Sequence, residues 1–188
     1  MISNTTFYEV SKDSFQFDVQ KNSAVIVLAR DTVRVEFKYE PEYPNQSLVT
    51  GRSALVNTRM GYAPLKPDMA IEVYQDGVPS DVLIFDAKYR RVKGPDGQWY
   101  PNNEDIDTMY RYRHTIQYLR YQPAQTRQTY TLEQIVSSAY IFYPANKIRT
   151  ETDNCIGALP VIPNMSERLL NEIREQLKNL LYYAYLID

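Results

Sequence analysis

Two carboxylates and a lysine in the middle of the chain, Asp68, Asp86 and Lys88, have the types and spacing of a divalent-metal site. Asp86 and Lys88 belong to the run Val82-Leu83-Ile84-Phe85-Asp86-Ala87-Lys88-Tyr89. This run is apolar at odd and even positions alike, as in a strand buried on both faces. Side chains alternate along a strand, so Val82, Ile84, Asp86 and Lys88 share one face. Charges in line with core residues are costly unless they are paired or used. Asp68 precedes an earlier apolar run, and the intervening Asp76-Gly77 is a hairpin-turn signal that brings Asp68 alongside. Hydrolysis of a phosphodiester needs a nucleophilic water and charge neutralisation on the phosphate. Mg²⁺ held by one or two carboxylates keeps open positions for both. A neighbouring lysine can orient or deprotonate the water and stabilise the developing charge. Asp68, Asp86 and Lys88 supply those parts, with the backbone carbonyl of Ala87 as a further metal ligand.

The elements that must position these groups are legible in outline. Phe15–Val19 and Val33–Tyr39 alternate and Ala24–Ala29 is continuously apolar, the pattern of an N-terminal β-meander. Residues 41–66 are rich in Pro, Asn and Ser and read as a long loop. Strands are expected at 69–75 and 82–89, followed by a turn at Lys93–Gly97. A helix starts near Asn103, capped by Asn102 or Asn103, with Glu104, Asp105 and Asp107 at the positive end of its dipole. It is expected to run to about Tyr121, before Pro123. Strands at 138–143 and 156–162 and an amphipathic helix from Ser166 to about Leu186 complete the order. The expected fold is α/β: a mixed central β-sheet flanked by helices, with the N-terminal meander, as a single domain over residues 1–188.

Composition narrows the chemistry. A net charge of −2 and a pI near 5.5 argue against nucleic-acid binding through bulk positive charge, so any such binding needs a local patch or a partner. One cysteine, Cys155, excludes an internal disulfide and a multi-cysteine zinc site. One histidine, His114, excludes schemes built on paired histidines, and no Gly-x-Ser-x-Gly elbow or phosphate-cradling glycine loop is present. The first residues carry no signal-peptide pattern and no apolar run is long enough to span a membrane, so a cytoplasmic protein is expected.

Pro67-Asp68 and Asp86-Ala87-Lys88 together resemble the defining pattern of the PD-(D/E)XK nuclease superfamily, whose fold is restriction-endonuclease-like. The longer context, Phe85–Arg90 followed by Glu104–Arg113 and Ala139-Tyr140-Ile141-Phe142-Tyr143-Pro144, resembles the nuclease part of McrC-like restriction proteins over about residues 65–145. The resemblance implies a Mg²⁺-dependent DNA endonuclease, with Mn²⁺ as a substitute, in a restriction or defence system with a nucleotide-hydrolysing motor subunit as partner. It implies that Asp68, Asp86 and Lys88 are catalytic and that Tyr112 supports the site from the helix. Two departures stand out. Superfamily members often carry a glutamate on an N-terminal helix, for which Glu9 is the nearby candidate, and related nucleases place a Gln where Thr108 stands, four residues before Tyr112.

Plainer roles compete for several residues. Asp105 faces either the site or, like Asp107, the helix dipole. Arg90, Arg91 and Arg113 are either nucleic-acid contacts or a solvated basic face. Tyr110, Tyr112, Tyr118 and Tyr121 either stack on bases or pack the helix onto the sheet. The alternative for the whole chain is a catalytically inactive binding or scaffold module of the same fold. The motif chemistry also allows RNA or DNA ends as substrate.

Overall fold

The computed structural model describes residues 22–59, 61, 63–123, 129–145, 148–150 and 155–182. The strand expected at 15–19, Glu9 and the part of the expected C-terminal helix beyond residue 182 lie outside them. In chain order the elements are β1 (Ser23–Arg30), β2 (Val33–Tyr39), a 3₁₀ turn (Gln46–Leu48), β3 (Ala54–Asn57), β4 (Met69–Gln75) and β5 (Val78–Ala87). A short ribbon of β6 (Val92–Lys93) and β7 (Trp99–Tyr100) follows, then α1 (Asn103–Thr115), β8 (Ile116–Gln122) and β9 (Thr129–Gln134). The chain continues through β10 (Val136–Tyr143), β11 (Arg149–Thr150), β12 (Ile156–Pro160) and α2 (Glu167–Tyr182).

A seven-stranded mixed sheet in the order β1-β2-β4-β5-β10-β12-β11 forms the centre. Strands β1, β2, β4 and β5 are an antiparallel meander, and β10 lies parallel to both β5 and β12. The mixed sheet is as the sequence pattern predicts, and of the expected N-terminal meander the strands at 24–29 and 33–39 appear as β1 and β2. On one face Ala70, Val82, Ile84, Ala139 and Ile141 pack under Met109 and Tyr112 of α1. On the other, Ile71, Val73, Leu83, Phe85 and Tyr140 form a second core that Leu177 of α2 packs against. Strand β5 is therefore covered on both sides, which is why its sequence is apolar at successive positions.

Asp76 and Gly77, with φ of 52° and 78°, make the two-residue turn between β4 and β5. Positive φ at both positions matches the right-handed strand twist, and Asp and Gly tolerate it. The hairpin then carries a β-bulge: Tyr74 opposes Pro79, but Val73 opposes Asp81, leaving Ser80 as an extra residue. Ser80 Oγ donates to the Val73 carbonyl at 3.2 Å across the bulge. From Val73 to Met69 the shifted register continues to the pair Met69–Phe85.

Two expectations are corrected. The helix ends at Thr115, not near Tyr121, and residues 116–122 are strand β8. Ile116 and Tyr118 point into the main core while Leu119 joins Val49 and Val56 in a smaller cluster, a strand alternation that outweighs the weak preference of this stretch for either form. The segment 41–66 is not one long loop, because β3 pairs antiparallel with β8 in a second sheet, β3-β8-β9. Buried Asn45 and Asn57 tie that segment down: Asn57 Nδ2 donates to the Tyr43 carbonyl at 2.8 Å and Asn45 Nδ2 to the Arg59 carbonyl at 2.7 Å. Among the described residues no helix is long and apolar enough to cross a membrane.

Ile84 is fully buried between β4, β10 and α1. Ile84→Ala is expected to lower stability by about 2–5 kcal/mol. Urea denaturation measures it, and a loss under about 1 kcal/mol would contradict this packing.

Candidate active site

The register set by the bulge places Asp68 and Asp86 at the same end of the β4–β5 hairpin, where they are joined through the backbone. The Asp68 N–H donates to Asp86 Oδ1 at 3.3 Å, and the Ala87 N–H donates to Asp68 Oδ2 at 2.6 Å. Each carboxylate thus accepts from the main chain beside the other. Lys88 follows on the face of Asp86, and its ammonium forms an ion pair with Asp86 Oδ2. The Lys88 N–H donates to the Phe142 carbonyl at 2.8 Å, which anchors the exit of β5 to β10. The sequence-predicted group of Asp68, Asp86, Ala87 and Lys88 is therefore brought together.

Asp86 is only 2% exposed. Burial pushes its carboxyl above the ordinary value, opposed by the hydrogen bond and charge of Lys88, while the Asp68 charge adds to the rise. Its Oδ2, apart from the Lys88 ion pair, lacks a well-formed hydrogen bond. A buried carboxylate oxygen of this kind, next to a second carboxylate, suits a hard cation. Among the described residues no three His, Cys, Asp or Glu side chains are grouped to hold a metal. Two carboxylates fit Mg²⁺, which ordinarily keeps several waters and takes one or two such ligands.

Helix α1 buttresses the hairpin from one side. Asn102 caps it by accepting from the Glu104 N–H at 3.2 Å. Tyr112 is buried, and its hydroxyl donates to the Lys66 carbonyl at 3.5 Å, two residues before Asp68. Burial, then the charge of Asp86, raises the Tyr112 phenol well above its usual value, with Arg111 opposing and Asp68 adding to the rise, so the hydroxyl stays a donor. Asp105 is 1% exposed and pairs with Arg90 Nη2 at 2.6 Å, two residues beyond Lys88. Asp107 is exposed on the first turns, consistent with dipole compensation. Thr108 Oγ1 donates to the Glu104 carbonyl at 2.9 Å, a bond to its own helix.

The three arginines weighed as nucleic-acid contacts or as a solvated face differ in their surroundings. Arg90 is held by Asp105 and by Glu104 at 3.3 Å. Arg91 Nη1 donates to the Pro144 carbonyl at 2.8 Å, and its guanidinium lies 4.2 Å from the Trp99 ring centroid. Arg113 is half-buried on α1. Of the helical tyrosines, Tyr112 and the β8 residue Tyr118 are core, while Tyr110 is exposed beside His114, their ring centroids 6.5 Å apart.

Sequence reasoning missed a further buried carboxylate. Glu72 on β4, 2% exposed, accepts from Lys38 Nζ at 2.7 Å, Tyr43 Oη at 3.0 Å and Tyr74 Oη at 2.5 Å. Burial and the Glu72 charge push both tyrosines upward, keeping them donors. The group borders a cavity of about 400 Å³ that reaches Gly77 and Pro79, toward the turn end of the hairpin and away from Asp68 and Asp86. A signal was present: Glu72 sits between Ile71 and Val73 in an apolar run, where an uncompensated charge would be expensive.

A family model described as the PD-(D/E)XK nuclease superfamily matches residues 1–148. No curated protein and no solved structure matches.

The raised carboxyl of Asp86 means that the folded protein binds its proton more tightly than the unfolded chain does, so this residue disfavours folding as pH rises above its ordinary value of 3.8. Asp86→Asn is expected to melt higher than the wild type near neutral pH, with the difference shrinking as pH falls through the acid range. Melting temperature against pH tests this, and an Asn variant destabilised equally at all pH values would contradict it.

Proposed function

The chain belongs to the PD-(D/E)XK nuclease superfamily, and on that premise we propose that it is a Mg²⁺-dependent DNA endonuclease, with Mn²⁺ as a working substitute. The reading is carried by one observation: Asp86 accepts from the Asp68 N–H and Asp68 from the Ala87 N–H, which locks the two carboxylates side by side with Lys88 against the buried one. Asp68, Asp86 and the Ala87 carbonyl would hold the metal, which when bound supplies charge neutralisation at the phosphate and an activated water. Lys88, whose ammonium pairs with Asp86, would orient the attacking water and stabilise the charge that develops on the phosphate oxygens. Tyr112 holds the Lys66-Pro67-Asp68 segment against α1, and Asp105 fixes Arg90, so both chain segments that flank the reacting groups are pinned to one helix.

The proposed setting is a cytoplasmic restriction or defence system in which residues 1–188 form one McrC-like nuclease domain. A net charge of −2 is poor for binding DNA unaided, which fits a nucleotide-hydrolysing motor subunit that supplies affinity and site recognition. Thr108, bonded within its own helix, and the lack of a third acidic ligand among the described residues favour a second reading, a binding or scaffold module without cleavage.

Metal binding separates the two without a partner subunit. Calorimetric titration of Mn²⁺ is expected to find a site in the wild type that is lost in both Asp68→Asn and Asp86→Asn. A silent wild type would move the protein to the scaffold reading. In a cleavage assay, Lys88→Ala is expected to reduce the rate by about 10²–10³-fold in protein that a melting scan shows to be folded at the assay temperature. Its melting temperature is expected to be lower, because Asp86 loses its answering charge. Undiminished cutting would remove the lysine from the mechanism.

A further inference from the structure

Between Lys88 and α1 the chain leaves both cores and forms the β6–β7 ribbon, which is stiffened without an apolar interior. The Tyr100 ring lies so close to Gly94 that a Cβ there would sit 2.5 Å from it, and the Tyr100 hydroxyl bonds to Asp96. The Gln98 N–H donates to Asp96 Oδ1 at 3.0 Å, closing the turn. At the base, Arg91 lies against the Trp99 ring while donating to the Pro144 carbonyl, which ties the ribbon to the end of β10.

Two aromatic rings, one just before this ribbon and one on it, are held in water. Tyr89, the residue after Lys88, is 89% exposed, and Trp99 is 41% exposed although Arg91 lies over its ring. Arg91 lies over the Trp99 ring and Lys93 pairs with Trp99 across the ribbon, while Arg90 is held by Asp105 and Glu104. Exposed aromatic rings beside cations are the components of a single-strand path: the cations follow phosphates and each ring stacks on a base. An internal base of an intact duplex has both faces covered by its neighbours, and unstacking it costs a few kcal/mol. The rings therefore gain most from bases that are already unpaired.

We propose that the β6–β7 ribbon with Tyr89 is a stacking platform for unpaired bases beside the scissile phosphate, so that the substrate strand is single-stranded where it is cut. The assignment of a scissile phosphate rests on the nuclease reading above, but the platform itself is testable without cleavage.

Trp99 is the single tryptophan of the chain, so its fluorescence reports on the ribbon alone. With EDTA present, single-stranded oligothymidylate is expected to quench it saturably, and a blunt duplex of equal length is not. Tyr89→Ala is expected to weaken binding of the single strand about ten-fold, the scale of one lost base–ring stack, whereas Tyr89→Phe retains it. No quenching by the single strand, equal quenching by the duplex, or unchanged affinity in Tyr89→Ala would each overturn the platform. Cleavage with Mg²⁺ is scored separately on the same oligonucleotides. Quenching without cleavage would count against the nuclease reading alone, and duplex cleavage without quenching against the platform alone.

Discussion

The rest of the structure is arranged around a carboxylate that cannot leave the protein interior. Asp86 lies on a strand covered on both faces, in line with Val82 and Ile84, and has no route to bulk water of its own. A charge so placed is tolerated only when nearby groups answer it. The answers are local: the Asp68 N–H from the neighbouring strand and the Lys88 ammonium two residues on. Because they come from two strands, the charge is balanced only while the β4–β5 register is kept. Burial raises the Asp86 carboxyl in spite of them, so the site is held at some cost to the fold.

The framework bears that cost by fixing the segments on either side. The parallel strand β10 receives the Lys88 N–H and the Arg91 guanidinium near its end, so the chain leaves β5 along a defined path. Helix α1 takes hold of both flanks, through Tyr112 at Lys66 and Asp105 at Arg90, and packs Met109 into the core between them. The Glu72 cluster performs a related task nearer the hairpin turn, where Lys38 and Tyr43 join β2 and the following segment to β4. Buried polar groups of this kind contribute definition of geometry more than stability, since apolar replacements often pack as well.

How much of this was readable in the residues differs by element. Strand β5 and the Asp76-Gly77 turn were legible because their signals are local: two-sided apolarity and a residue pair that tolerates positive φ. The start of α1 was legible from Asn102 and the acidic first turn, but its end was not. Residues 116–122 have no breaker until Pro123, and it is pairing with Thr129–Gln134 on one side and with the distant Ala54–Asn57 on the other that turns the chain into a strand. For the same reason β3, four residues long within a polar stretch, read as loop. Glu72 was visible as a charge in an apolar run, but two of its three partners, Lys38 and Tyr43, lie 34 and 29 residues earlier in the chain.

By itself the sequence determined which chemical groups are available: two carboxylates, a lysine and the strands that carry them, with one histidine and one cysteine closing off other chemistries. Tertiary structure decided which of these groups meet. The decisive feature is the single extra residue at Ser80. Opposed residues in an antiparallel pair share a face, so with the turn-proximal register continued, Asp68 would oppose Phe85 and lie across the sheet from Asp86. The bulge advances the register by one residue and places both carboxylates on the face of α1. No local preference in residues 68–88 states that shift; it goes with packing both faces of β5 at once, under α1 on one side and in the core that Leu177 of α2 packs against on the other.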